Sequence, residues 1–399
     1  MVTTVRMLPI GLVVLAHLVV DASQNILPVV LPLLVDRFQL SYGQVGAVAA
    51  LLNISSSVIQ PAFGWIADRW TTRWLMPIGI AWTGLLMGLV GLVPSYPLLL
   101  LLTVGTGLGT AAFHPAAAIA AARASGPRRG LGMSLFSAGG NLGFAVGPVA
   151  AAWLMASFGL PGTLAVVFPG LLTATAFWAW RDSFETAPLR RSGAAEAEPP
   201  SPIPWVRLGT LCLLITLRSW GYSGLVIFIP LLLREQGVSL PAAGWALFVF
   251  LFAGALGGLA GGYLSDHWGR QRIIAGSLLA FPGLMAAAIL APGLLRFPLL
   301  ALSGGMLLAS FAVTTVFAQE LLPRHLGLAS GLTLGLAFGA GGVGVGLSGL
   351  LADLAGLAAS VWMLLALPGF AGLLALSLRV PAANHPASPS RDSRRSHPA

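Results

Sequence analysis

Apolar residues run through this chain in long blocks, each closed by an arginine or by a proline or glycine turn. Blocks of this kind cross a bilayer, because ~20 residues at ~1.5 Å rise cover the ~30 Å of hydrocarbon. Twelve spanning helices are predicted. The first six cover residues 9–34, 42–66, 75–93, 97–121, 131–158 and 163–180. The second six cover 208–233, 242–264, 273–291, 298–319, 326–351 and 357–378. The one long polar interruption, 182–206, holds Pro188, Pro199, Pro200, Pro202 and Pro204 among Ser, Ala and Glu. It reads as a tether between two halves, 1–181 and 207–379. The Pro-, Ser- and Arg-rich tail 380–399 has the composition of a disordered segment, with attraction to the membrane surface as its mildest role.

The first spanning block departs from the apolar pattern. His17, Asp21 and Gln24 follow i, i+4, i+7 spacing, so they share one helix face, and Asn25 follows directly. Asp21 falls near the middle of the span. An aspartate there costs at least ~2.5 kcal/mol on insertion scales, so it faces a polar cavity or pins neighbouring helices together. Counting along each helix brings Asn141 and Arg218 to the same depth. His17 and His114 come out several ångströms toward the cytoplasm. A buried Arg218 needs a neutralising partner, and Asp21 is the expected one. Protonating Asp21 would then free the guanidinium for a bidentate anion, while the static alternative has the pair merely ordering the two halves. His17 and His114 titrate near neutrality and suit proton relay or substrate contact.

Composition and charge sharpen the class. The chain has 399 residues, 57% of them hydrophobic and 8% charged, against ~25% charged in soluble proteins. Every basic residue is arginine. Placing the N-terminus in the cytoplasm puts all of them on that side except Arg37, Arg234 and Arg296 outside and Arg218 within the membrane. Both termini are then cytoplasmic. The formal charge of +9 therefore has a membrane explanation, and no basic patch interleaved with aromatics points to nucleic acid. The single cysteine, Cys212, lies in an apolar run and offers neither a disulfide nor a metal pair. Gly344, Gly346 and Gly349 formally satisfy a dinucleotide fingerprint, but inside a spanning segment they serve close helix packing. No metal-ligand cluster, nucleophile-base pair or soluble catalytic domain supports a membrane enzyme or sensor.

An internal repeat supports the two halves. Gly64, Asp68, Arg69 and Arg73 follow the second span, and Gly262, Asp266, Arg270 and Arg272 follow the eighth, with the aspartates 198 residues apart. This signature resembles that between helices 2 and 3 of the major facilitator superfamily. The resemblance implies an all-α fold of two six-helix bundles with a midplane site between them. Asp68 would cap a helix of the opposite half and latch the cytoplasmic side. Glu320 is expected to pair with Arg270 or Arg272.

The stretches Phe113-His114-Pro115, Gly139-Gly140-Asn141, Gly147-Pro148, Ala318-Gln319-Glu320 and Ser330-Gly331, together with His17, Asp21 and Gln24, resemble the fosmidomycin-resistance family of efflux proteins. That resemblance implies proton-driven export of a small anionic or amphiphilic compound, with no cofactor beyond the proton gradient. The chain departs from it at Ala116, where an acid often stands, and from wider drug antiporters at Thr103, where an arginine is usual.

In the resembled fold the proton-coupling candidates are Asp21, His17 and His114. Gln24, Asn25, His114, Asn141, Arg218 and Tyr222 are candidates for substrate contact. Gly64, Asp68, Arg69, Arg73, Asp266, Arg270, Arg272 and Glu320 are candidates for gating. A monomer in the bacterial inner (cytoplasmic) membrane is expected, with protons, a small molecule and lipids as partners. An importer or uniporter of a nutrient metabolite is the alternative.

Overall fold

A computed structural model describes residues 7–69, 74–126, 128–180, 184, 204–322, 329, 332–333 and 335–378. Among them are twelve helices long and apolar enough to cross a membrane: α1 Met7–Phe38, α2 Tyr42–Ala67, α3 Leu75–Leu92, α4 Tyr96–Ala124, α5 Leu131–Phe158, α6 Leu160–Ala179, α7 Trp205–Glu235, α8 Leu240–Trp268, α9 Arg270–Leu290, α10 Gly293–Leu321, α11 Leu336–Ala355 and α12 Leu357–Ser377. The fold is all-α, as the apolar pattern requires. Most of the linker and the tail lie outside the described residues.

Among the described helices α1 is the most enclosed and α7 follows it. Burial reaches 78% of the most apolar window of α1 and 61% of that of α7, against 39% in several others. A helix buried all round must sit at the centre of a bundle, and a polar group on it must then find a protein partner or a cavity.

Helix α1 is broken at Asn25 and Ile26, between segments Met7–Gln24 and Leu27–Phe38. Pro28 causes the break, since it has no N–H and its ring collides with the carbonyl four residues back. The Asn25 side chain bridges the gap by donating from Nδ2 to the Phe144 carbonyl of α5 at 2.5 Å. Pro61 acts similarly in α2, where segment Tyr42–Val58 gives way to Gln60–Arg69.

The seams between the first six spans and the last six are α2 against α11 and α5 against α8. The α2–α11 seam is close because it is built on glycine. A Cβ on Gly46 would lie 2.8 Å from the Val345 carbonyl oxygen. At one end of the seams, polar groups join the two sets of helices. Arg234 pairs with Asp36, the Tyr42 hydroxyl donates to Glu235, and the Asp353 carboxylate accepts from the Tyr42 and Gly43 backbone N–H groups at 2.7 and 2.8 Å. At the opposite end the seam opens. Past the contact of Asn53 with Gly342, α2 turns at Ile59 and its last turns lie on α4 of its own half, with Gly64 against Pro115. Val58 is 65% exposed there.

Candidate functional site

The first segment of α1 carries His17 and Asp21 one helical turn apart, and both face α4 and α5. Asp21 is 2% exposed. Its Oδ2 lies 3.2 Å from His17 Nε2 and its Oδ1 lies 3.2 Å from His114 Nε2, on α4. The remaining nitrogen of each ring is also committed. His17 Nδ1–H donates to the Phe136 carbonyl of α5 at 2.8 Å, and His114 Nδ1–H donates to the Thr110 carbonyl at 3.0 Å. The Phe136 ring stacks on His17 at 4.0 Å, and the two imidazoles meet edge to face at 5.1 Å. Three helices thus fix one carboxylate between two oriented imidazoles.

The ligand atoms of His17, Asp21 and His114 lie within 4.8 Å of one another, the grouping among the described residues with metal-ligand chemistry. Each imidazole is turned onto its own carboxylate oxygen, however. Both contacts lie at hydrogen-bond distance.

Helix α5 can approach this cluster only at a glycine. A Cβ on Gly140 would lie 2.5 Å from His17 Nε2 and 2.7 Å from Asp21 Oδ2. We expect Gly140→Ala to displace both groups. The overpacking cost is ~1–3 kcal/mol, small enough for the fold to survive. Thermal unfolding should therefore stay cooperative while the nitrogen NMR signals of His17 and His114 shift from their wild-type positions. Unchanged histidine signals in this variant would show that the cluster tolerates the added methyl.

Arg218, on α7, is 2% exposed. The expected ion pair with Asp21 is not formed. Asp21 is held by the histidines, and no carboxylate among the described residues lies within ion-pair distance of Arg218. Its guanidinium donates instead to Thr314 Oγ1 at 3.1 Å and Ser310 Oγ at 3.5 Å, and sits 4.7 Å over the Phe311 ring. All three belong to α10. Hydroxyls and a ring face orient a cation without cancelling its charge. Tyr222, one turn along α7, stacks on Phe250 at 6.5 Å.

The remaining candidates fall in several places. Gln24 is buried on the last turn before the α1 break, Asn25 is engaged with Phe144, and Asn141 is exposed on α5. In the second copy of the repeat Asp266 and Arg270 form an ion pair, and Arg270 Nε also meets Glu320 Oε1 at 3.2 Å. That pair joins the ends of α8, α9 and α10 within one half, and Arg272 is exposed beside it. Asp68 and Arg69 end α2, but their side chains, like all of Arg73, lie outside the described residues.

Sequence reasoning missed Phe136, Gly140, Ser310, Phe311 and Thr314. Gly140 did stand in a quoted motif. The α10 hydroxyls stand four residues apart on one helix face, and that spacing was the available signal.

Comparison with known proteins adds four matches. The family model described as Major Facilitator Superfamily matches residues 13–211 and 211–398. The fosmidomycin resistance protein of Escherichia coli (strain K12) is 32% identical over 358 residues, covering 86% of each chain. An uncharacterized MFS-type transporter, YfnC of Bacillus subtilis (strain 168), is 35% identical over 379 residues, covering 91% of each. Among solved structures, a bacterial homologue of the human lysosomal transporter Spinster superposes with a TM-score of 0.75 at 17% identity. The match covers 95% of this chain and 96% of that one.

Proposed function

The chain belongs to the major facilitator superfamily, and from that membership we propose that it is a proton-coupled antiporter exporting a small anionic or amphiphilic compound across the bacterial inner membrane. It is a multi-pass membrane transporter and not an enzyme. The observation that carries the anion is Arg218, a buried guanidinium facing hydroxyls and an aromatic ring with no carboxylate of the described residues against it. A buried cation without a counter-charge is costly, and an anionic ligand removes that cost. The proton is assigned to His17, Asp21 and His114, the acid-base cluster of the first half.

On the orientation set by arginine, the end sealed by Asp36, Tyr42, Arg234, Glu235 and Asp353 faces outward. The site then opens to the cytoplasm, which is where an exporter collects its cargo. Similarity to a fosmidomycin resistance protein supports export of an anion of that kind.

Charge favours a second reading. Protonating the histidine–aspartate cluster makes the cavity more positive and so favours an anion, which would load the two together as an importer does. Reconstituted vesicles offered fosmidomycin separate the two. Accumulation driven by an acidic interior means exchange, and accumulation driven by an acidic exterior means co-transport. Accumulation under neither gradient rejects proton coupling of this probe.

Arg218→Gln should weaken fosmidomycin binding by ~10- to 150-fold, from the ~1.5–3 kcal/mol of a charged hydrogen bond. Arg218→Lys keeps the charge but loses the fork and should fall between. Unchanged binding in both would remove Arg218 from the site.

A further inference from the structure

The hydrogen-bond geometry around Asp21 fixes how many protons the cluster holds, which the transporter reading above leaves open. His17 Nδ1 and His114 Nδ1 each face a backbone carbonyl, and a carbonyl can only accept. Both nitrogens therefore carry their proton. A neutral imidazole has one N–H, so in the neutral form each Nε2 would present a lone pair. Each Nε2 nevertheless lies 3.2 Å from its own oxygen of Asp21, and an ionised carboxylate is acceptor-only. Two acceptors do not hold a contact of this length, on a carboxylate as buried as Asp21, without a proton between them.

We infer that the cluster holds two exchangeable protons at once in the conformation described here, one in each Nε2–Oδ contact. A protonated Asp21 has a single O–H and can serve only one oxygen. At least one of the two rings is therefore an imidazolium in every arrangement that satisfies both contacts. The formal charge of the three side chains changes from −1 with neither proton to +1 with both.

The surroundings leave little else to supply or take these protons. Helices α3, α5 and α6, which pack on α1, have no titratable side chain along their spans. Across the site α7 brings Tyr222 and Arg218, and the latter is engaged with α10. With one proton only, one histidine would face the carboxylate with a lone pair and would have to turn away. A step from two protons to one is thus also a step in the packing of α4 or α5 on α1. Two protons per cycle would let one pH unit of gradient sustain about a hundredfold accumulation, where one proton sustains about tenfold.

The inference rests on the proton-coupled reading for its role in transport, but its test requires none. The full-length protein, reconstituted in lipid without substrate, is titrated downward from alkaline pH. Nitrogen NMR of labelled histidine distinguishes imidazolium from either neutral tautomer, and infrared absorption reports a protonated Asp21. Single substitutions assign the signals. Wild type should gain two protons at the cluster, while His17→Gln and His114→Gln should each gain one, because a glutamine amide fills its contact without an exchangeable proton. Uptake of a single proton by wild type would overturn the inference, as would two imidazolium signals that persist unchanged in Asp21→Asn. Rings that stay neutral until Zn²⁺ is added would make the cluster a metal site, overturning it too. If the count is two but the vesicles show no proton-driven transport, the transporter reading fails and the proton count stands.

Discussion

Asp21→Asn is expected to reduce pH-gradient-driven accumulation to the level of protein-free vesicles, while passive equilibration of the same solute persists. The reason lies in what an amide can and cannot do between two imidazoles. Asparagine keeps the size of aspartate, and its amide can donate to the lone pair of one Nε2, while its oxygen has no proton to accept from the other ring, whose single N–H is already given to a carbonyl. It cannot change charge. Without a carboxylate, the buried rings lose the anion that makes an imidazolium tolerable away from water, and no proton passes through the cluster per cycle. An uncharged cluster, with one Nε2 contact filled by the amide, should therefore lift the requirement for protons without preventing the change of conformation. This separates a coupling role from a structural one, because a variant that has merely lost its packing loses equilibration as well. Full gradient-driven accumulation by Asp21→Asn would remove the proton from Asp21. Loss of both gradient-driven and passive transport, with intact thermal unfolding, would make the aspartate a structural pin.

The spans were legible in the sequence because a membrane helix announces itself by length and composition, and arginines mark where it stops. His17 and Asp21 could be put on one face because i, i+4 spacing fixes azimuth within a helix. Azimuth between helices is a different matter. Depth counting puts Asp21 and Arg218 at one level, and their opposite charges make the ion pair the expectation. Equal depth leaves the rotation of each helix undetermined. Packing turns Arg218 toward the Ser310–Thr314 face of α10 and turns Asp21 toward His114.

Hydroxyls were easily passed over, since in membrane helices they commonly bond back to their own backbone. Ser310 and Thr314 do this too, accepting from Arg218 while donating to the Leu307 and Phe311 carbonyls. Gly140 shows the same limit from another side. Its place in a motif was visible, but its reason, the nearness of an imidazole and a carboxylate from α1, belongs to the packing. At the helix ends, the pairing of Arg270 with Glu320 could be expected because both close neighbouring spans on one side. The contacts of Asp353 with α2 join residues more than three hundred positions apart, and nothing local marks them.

Those contacts carry the second large expectation. Asp353 ends α11 and accepts from the first two N–H groups of α2, Tyr42 and Gly43, so a carboxylate of one half caps the helix N-terminus of the other. A charge there gains from the helix dipole by ~0.3–1 kcal/mol and from two charge-assisted hydrogen bonds besides. The sequence led us to expect a carboxylate–helix latch at Asp68, on the arginine-rich side. Asp68's side chain lies outside the described residues, and a carboxylate–helix contact of this kind is present at the opposite end of α2, against α11. Arg234–Asp36 and Tyr42–Glu235 reinforce it, although these groups are solvent-exposed and the ion pair contributes modestly.

Asp353→Ala removes both backbone bonds and the charge, and Asp353→Asn removes the charge while leaving one acceptor. At ~1–3 kcal/mol of differential stabilisation, the first should shift the equilibrium toward opening at this end by ~5- to 150-fold, and the second by less. Spin labels on Ser95→Cys and Ser239→Cys, exposed on either side of the sealed end, report the opening as a longer distance once Cys212 is replaced by serine. The loosened variant should also bind a ligand offered from the arginine-rich side more weakly, in proportion to the fraction of molecules no longer open there. A lengthened distance with unchanged binding would mean that the sealed end moves independently of the site. Unchanged distances in both variants would mean that the glycine seam, not the carboxylate, holds this end closed.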